Sequence, residues 1–339
     1  MTHQELRFGV LGVGRIGKIH LGNLVNRIPG AEVVALSDVV PEELAALAAK
    51  FNVRTTFSDY KQVLKLSDVD AVAICTPTNT HYQMILDAAA AGKHIFCEKP
   101  IDLSIEKIKA INQQVEKCRV QLMVGFNRRF DPNFLKVREI VKSGKVGVPH
   151  VLKITSRDPA PPPETYIRAS GGLFLDMTIH DFDMARYLMS SEVTEVYARA
   201  SVLVDPVFQK AGDWDTAIVS LAFENGALGT IDNSRKAVYG YDQRVEVFGS
   251  EGMVKVKNNT PDSHIYLDRT GAHSSLPLNF FMDRYTESYL REMQAFVDAV
   301  QNNKPVPVTG TDGLMAVAIG LAAAKSVREN RPVKLTEMN

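Results

Sequence analysis

The sequence predicts an α/β domain built on a doubly wound parallel sheet, followed by an α+β domain with a large, mostly antiparallel, open-faced sheet. Three observations predict it. Up to Gly125, short and continuously apolar runs alternate with helical ones, the pattern of a parallel sheet covered on both faces. Beyond Gly125, strand-like runs follow one another through hairpin turns, with helices set apart from them. The 339 residues also suffice for two domains at roughly 150 residues each.

In the first domain, residues 6–11 read as a strand, 16–27 as a helix ended by Pro29-Gly30, and 33–37 as the second strand. Residues 41–51 follow as a helix, with Pro41 suited to its first position. A third strand at 71–75, a helix at 81–91 closed by Gly92, and a fourth strand at 94–97 continue the alternation. Ser104 is placed to cap a helix over 104–118, and 121–125 is the fifth strand. Right-handed crossovers between such strands wind the sheet in both directions.

The boundary falls near Gly125, giving domains 1–124 and 125–339. In the second, 134–143 reads as a helix and 151–156 as a strand, leading into a stiff proline-rich loop at 158–164. Residues 174–189 form one amphipathic helix. Strands occupy 196 to about 267, with turns at Glu224-Asn225-Gly226 and Ser250-Glu251-Gly252. Helices return at 286–301 and 312–329, and 332–336 ends the chain as a strand. Over 216–223, Ala217, Val219, Leu221 and Phe223 face the internal helices. The opposite face, Thr216, Ile218, Ser220 and Ala222, is too bland for solvent alone and is expected to pair with another subunit. A homotetramer, or a dimer, follows from that open face.

Charge narrows the function. Lys+Arg and Asp+Glu balance at 39 each with no run of either sign, which argues against nucleic-acid or membrane-surface partners. The opening residues do not read as a signal peptide, and the most apolar stretch, 314–324, is too short to span a bilayer. Three cysteines, Cys75, Cys97 and Cys118, fit a reducing cytoplasm, and no pair has metal-ligand spacing.

Gly12-Val13-Gly14-Arg15-Ile16-Gly17 fits G-x-G-x-x-G, directly after a strand and opening a helix. There Gly12 makes the tight turn, Gly14 admits a pyrophosphate to the backbone, and Gly17 lets the helix pack closely. The helix N-terminus, with Arg15 and Ile16, offers unpaired N–H groups to the phosphates. Asp38 ends the second strand about twenty residues beyond Gly17, where a carboxylate accepts from the adenosine ribose and repels a 2′-phosphate. This predicts NAD rather than NADP; the plainer role for Asp38 is a cap on the helix at Pro41. Glu98-Lys99-Pro100 follows the fourth strand at the ligand-binding edge, so Lys99 is expected to be held as a proton or hydrogen-bond donor. Asp176 and His180 stand at i and i+4 on one helical face, with Asp183 three residues further. A histidine oriented by a carboxylate is the usual general base, although such a pair also serves merely to satisfy a helix. A metal is not expected, since only Asp183 adds a third ligand at helical spacing. Arg128 opens the second domain, and Tyr239-Gly240-Tyr241 offers hydroxyls within the sheet or packs as core aromatics.

Together GVLGVGRIG, SD after the second strand, CTPTNTH, FCEKP and GGLFLDMTIHDFDMARYL resemble the glucose–fructose oxidoreductase/inositol dehydrogenase (Gfo/Idh/MocA) family over essentially the whole chain. GFNRRFD and DPAPPPETYIRASGG look like its inositol 2-dehydrogenase branch. The resemblance implies a Rossmann domain with Lys99, Asp176 and His180 as the catalytic set. It further implies that Thr76, Pro77, Asn79, His81 and Glu98 border the cofactor, and that Arg128, Ser156, Asp158, Asp183 and Tyr241 face a sugar-like ring. A cis Lys99–Pro100 bond is also expected by resemblance. The activity implied is NAD-dependent oxidation of a ring hydroxyl, myo-inositol to the 2-keto inosose. His180 would take the proton, Asp176 would steady the imidazolium, and Lys99 would hydrogen-bond the alcohol oxygen. One alternative is a dehydrogenase of another inositol isomer or a sugar. Another is a non-catalytic dinucleotide- and sugar-binding regulator, against which the presence of Lys99, Asp176 and His180 together argues.

Overall fold

The computed structural model describes residues 5–338. Its first sheet is wholly parallel: β1 (Leu6–Leu11), β2 (Ala31–Ser37), β3 (Thr55–Phe57), β4 (Ala71–Ile74), β5 (His94–Glu98) and β6 (Leu122–Gly125), in the order β3-β2-β1-β4-β5-β6. The winding direction reverses between β1 and β4, which opens a crevice beyond the carboxyl ends of the strands. Burial on both faces accounts for the unbroken apolar runs, for all four residues of β4 are inaccessible. Helices Arg15–Asn26, Pro41–Phe51, Thr78–Ala90 and Ile105–Cys118 make the main crossovers, the last capped by Ser104, whose hydroxyl accepts from the Lys107 N–H. The sequence reading misses β3 and the helix Tyr60–Leu64, which are too short to display a period.

The second sheet is mixed. Its strands are β7 (Pro149–Arg157), β8 (Val193–Ser201), β9 (Thr216–Phe223), β10 (Leu228–Ser234), β11 (Asp242–Gly249) and β12 (Gly252–Val256). β13 (Ile265–Asp268) and β14 (Gly271–Ser274) pair apart as a hairpin, and β15 (Val333–Lys334) is only two residues long. The order is β12-β11-β7-β10-β9-β8-β15, antiparallel throughout except for β7 beside β10. Both anticipated turns join neighbouring strands, and Gly226 takes φ of 84°, which its Asn-Gly turn requires. Along β9, Ala217, Val219, Leu221 and Phe223 are buried, while Ile218 is 51% exposed. Register carries the exposed face across the sheet from Ile218 through Leu228 and Phe248 to Met253.

Two differences from the sequence reading bear on function. The helix expected over 174–189 is instead a π-helical turn, Leu173–Met177, followed by the α-helix Ile179–Met189. Asp176 and His180 are therefore not an i, i+4 pair of one α-helix. The chain also forms two units that are discontinuous in sequence: one runs through Phe130 and takes back Glu287–Met315, the other takes Asp131–Thr286 and Ala316 onward. Helix Thr286–Gln301 joins the first because Phe296 meets Phe8 and Phe96 edge-on, each at 6.0 Å between ring centroids. Such a contact is invisible to a linear cut near Gly125. Among the described residues, no helix is long and apolar enough to cross a membrane.

Candidate active site

The glycine loop between β1 and the first helix is shaped for an anion. Gly12 has φ of 89°, and a Cβ there would stand 2.8 Å from the Thr76 backbone nitrogen. At Gly17 a Cβ would collide with the Gly12 carbonyl oxygen, so this glycine serves the turn itself. A Cβ at Gly14 would meet nothing within 4 Å. No packing in the protein demands glycine there, and the bare backbone leaves room for the close approach of a phosphate. Gly14 is the N-cap residue, with no side-chain cap and no acidic residue in the first turn, the arrangement of a helix N-terminus suited to an anion. Asp38 fixes this loop, accepting from the Val13 N–H at 2.7 Å and from the Val40 N–H at 3.0 Å. It does not cap the following helix, whose N-cap is Val40. Carboxylate lone pairs beyond these two bonds remain for a ribose hydroxyl. These residues fit a dinucleotide.

The next strand ends add polar groups along the same edge. After β4, Pro77 and Asn79 are exposed, and the Thr76 and Thr80 hydroxyls share a hydrogen bond of 2.6 Å. His81 is buried with its ring nitrogens 2.8 Å from the carbonyl oxygens of Pro100 and Thr76. Burial holds its pKa below the usual histidine value. It braces the loop after β4 against the segment after β5. There Glu98 and Lys99 are half-buried, and Lys99–Pro100 is cis, as expected. Arg128 follows β6 in a buried 3-10 turn, while its neighbour Arg129 pairs with Asp312 at 2.8 Å.

In the second unit, β7 and β10 run parallel and side by side, so the residues leaving them emerge together. Asp158 follows β7 and Arg235 follows β10, and the Arg235 guanidinium donates to Asp158 Oδ2 at 3.0 Å and to Asp176 Oδ2 at 2.8 Å. Asp176 Oδ1 accepts from the Tyr166 hydroxyl at 2.8 Å. Burial opposes the charge on Arg235, yet Asp176 and Asp158 hold the guanidinium above its ordinary pKa. The structure thus joins Asp158 and Asp176 through a residue that sequence reasoning missed. The one signal was an arginine within the predicted strand region. Ser156 is fully buried and donates to Gln243 Oε1 at 3.1 Å on the adjoining β11. Asn233 of β10 accepts from Thr178 and donates to Asp181 and to the Ser156 carbonyl, which anchors the start of the helix bearing His180. Asp181 and Asn233 were also missed. His180 is half-buried, Asp183 is buried beyond it, and buried Tyr241 meets Tyr285 edge-on at 5.9 Å.

A glycine-loop dinucleotide domain, paired with a unit carrying a histidine and bridged carboxylates, defines a nicotinamide-dependent oxidoreductase. Residues 6–126 match the model of the oxidoreductase family with an NAD-binding Rossmann fold, and 134–255 match the GFO/IDH/MocA C-terminal domain. A myo-inositol 2-dehydrogenase of Thermotoga maritima is 51% identical, over 98% of this chain and 99% of that one. A crystal structure of a Thermotoga maritima protein superposes with a TM-score of 0.97 at 51% identity, covering 98% of this chain and all of that one. A Lactobacillus casei scyllo-inositol dehydrogenase, solved with NAD(H) and scyllo-inositol, superposes at 0.92 with 32% identity, covering 98% and 100%. The chain belongs to the Gfo/Idh/MocA family of NAD-dependent oxidoreductases.

Proposed function

We propose that the protein oxidises a ring hydroxyl of inositol, converting myo-inositol to the 2-keto inosose with NAD. The observation that carries this reading is the Asp158–Arg235–Asp176 bridge, a fixed polar array suited to a polyhydroxylated ring rather than an apolar alcohol. Full-length similarity to a myo-inositol 2-dehydrogenase supports it.

Bound NAD, held at the Gly12–Gly17 loop with Asp38 on its ribose, supplies the hydride acceptor. Thr76, Pro77, Asn79 and Glu98 border it, braced by His81. His180 accepts the proton of the reacting hydroxyl as general base, and Asp176 supplies negative charge to the imidazolium. Lys99 donates a hydrogen bond to the same oxygen and steadies the charge that develops there. Arg128, Asp158, Asp183 and Tyr241 select the ring by its other hydroxyls, whereas Ser156, expected to face the ring, is fully buried against Gln243 and supports the strand ends instead. Asp176 shares its charge with Arg235, so its pull on His180 is weaker than that of an unshared carboxylate.

The Lactobacillus casei enzyme supports a second reading, in which the scyllo isomer is the substrate. Appearance of NADH absorbance with myo-inositol, scyllo-inositol, further isomers and sugars separates the two. The highest kcat/KM is expected with myo-inositol; absence of NADH with every inositol would end both. Two further readings belong here. The open sheet face, with Ile218, Leu228, Phe248 and Met253 exposed, supports assembly as a homotetramer or dimer. Three free cysteines support a reducing, cytoplasmic setting.

A further inference from the structure

Within the first unit, helix Arg15–Asn26 and helix Thr286–Gln301 enclose three ionisable groups. His20, fully buried, directs Nε2 to Glu98 Oε1 at 2.8 Å, and Glu292 Oε1 lies 3.9 Å from the same nitrogen. Phe96 and Tyr289 flank the imidazole edge-on, with centroids 4.9 and 5.8 Å away. Glu292 is wholly buried, and neither of its oxygens nor His20 Nδ1 has a hydrogen-bond partner. Of the three side chains only that of Glu98 reaches solvent. Its carboxylate lies over Gly125, where a Cβ would stand 3.1 Å from Oε2, and it immediately precedes Lys99.

One ligand atom from each residue falls within 4.8 Å of the others. Two carboxylates that close, one of them wholly buried, are strongly disfavoured as a doubly ionised pair without a balancing proton or cation. Glu292 accepts no hydrogen bond, the costliest condition for an anion and a tolerable one for an acid. Burial, and then the charge of Glu98, push its carboxyl well above the ordinary range. Nε2 is the ring nitrogen that faces Glu98, and from there it is placed to donate to the carboxylate. The other titratable groups facing this cluster are Tyr289, His81, whose pKa burial lowers, and the thiols of Cys75 and Cys97, which burial pushes up in pKa.

We propose that His20 is a positioning residue for the cofactor: buried beneath Glu98 and backed by the wholly buried carboxyl of Glu292, its imidazole fixes the Glu98 side chain at the edge where the cofactor lies, which favours the oxidised, cationic nicotinamide over the reduced one. This rests on the reading that Glu98 borders the cofactor.

Dissociation constants for NAD+ and NADH, measured by fluorescence titration on the full chain, test it. Replacement His20→Leu is expected to weaken NAD+ relative to NADH about tenfold, the scale of one nearby charge. His20→Gln, which retains an N–H donor, restores most of the ratio, and Glu292→Gln leaves it unchanged. The infrared carbonyl band of a protonated carboxyl disappears in Glu292→Gln. Should His20→Leu fail to fold, Glu98→Gln must lower the same ratio. Equal weakening of both cofactor forms, an unchanged infrared spectrum, or a stoichiometric divalent metal in the purified protein would overturn the inference. Wild-type protein that binds NAD yet oxidises no inositol would count against the proposed substrate alone.

Discussion

Arg235 holds two carboxylates that the sequence assigned to different tasks, Asp176 to the base and Asp158 to the ring. Replacing it with Met strands both acids beside a buried apolar group, and removal of one partner from a buried pair costs about 3–5 kcal/mol. A large fall in the urea midpoint is therefore expected. Arg235→Lys keeps the charge but loses the two-pronged geometry, so it should fold and show a raised KM for inositol. His180→Ala should lower kcat by roughly 10²–10⁴-fold with little change in NAD affinity, in a steady-state assay. Wild-type turnover would remove His180 from the mechanism. Glu292 gives the pH dependence a sign. Its folded-state pKa lies above the ordinary value of 4.5, so the native chain binds more protons than the unfolded one above that pH. Its contribution is full below pH 4.5 and is lost as pH rises toward the raised value, by at most about 1.4 kcal/mol per pH unit. Glu292→Gln lacks this slope and should gain stability over wild type as pH rises, read from denaturant unfolding across a pH series.

Elements explain why some site residues could be read in advance and others could not. The glycine loop is a local structure: its strand, turn and helix are contiguous, so spacing alone identifies it. Its glycines nevertheless do different work. Gly14→Val enters open space and should cost no more than about 1 kcal/mol, the loss of a favourable N-cap residue, while raising the KM for NAD at least about tenfold. Gly17→Val meets the Gly12 carbonyl and should lower both cofactor affinity and the melting temperature. Comparing the two variants by thermal unfolding separates ligand space from packing. The π-helical turn at Leu173–Met177 lay beyond the periodic reading, because an inserted residue leaves the apolar positions looking helical. It alters the geometric relation of Asp176 and His180 without altering their spacing in the chain.

For the whole molecule, the open sheet face carries the expectation of assembly. Light scattering at micromolar concentration should report a tetramer or dimer, and Ile218→Arg combined with Phe248→Glu should yield a folded, smaller species. A wild-type monomer would leave that face without the proposed role. The return of Glu287–Met315 to the first unit places Glu292 beside His20, residues far apart in the chain. No periodicity connects them, since the contact arises only when the chain closes on itself.

The strand–helix alternation of the first unit apart from β3 and the helix at Tyr60–Leu64, the dinucleotide loop and the buried and open sides of β9 follow from the sequence, because each depends on local spacing or on alternation within one element. The three-dimensional fold alone decided which charges neutralise one another. Arg235 between Asp158 and Asp176, Asn233 beneath the His180 helix, and Glu292 behind His20 are pairings across strands or between distant helices. In each, burial removes the solvent that would otherwise screen the charge, so the identity of the neighbour governs protonation and geometry.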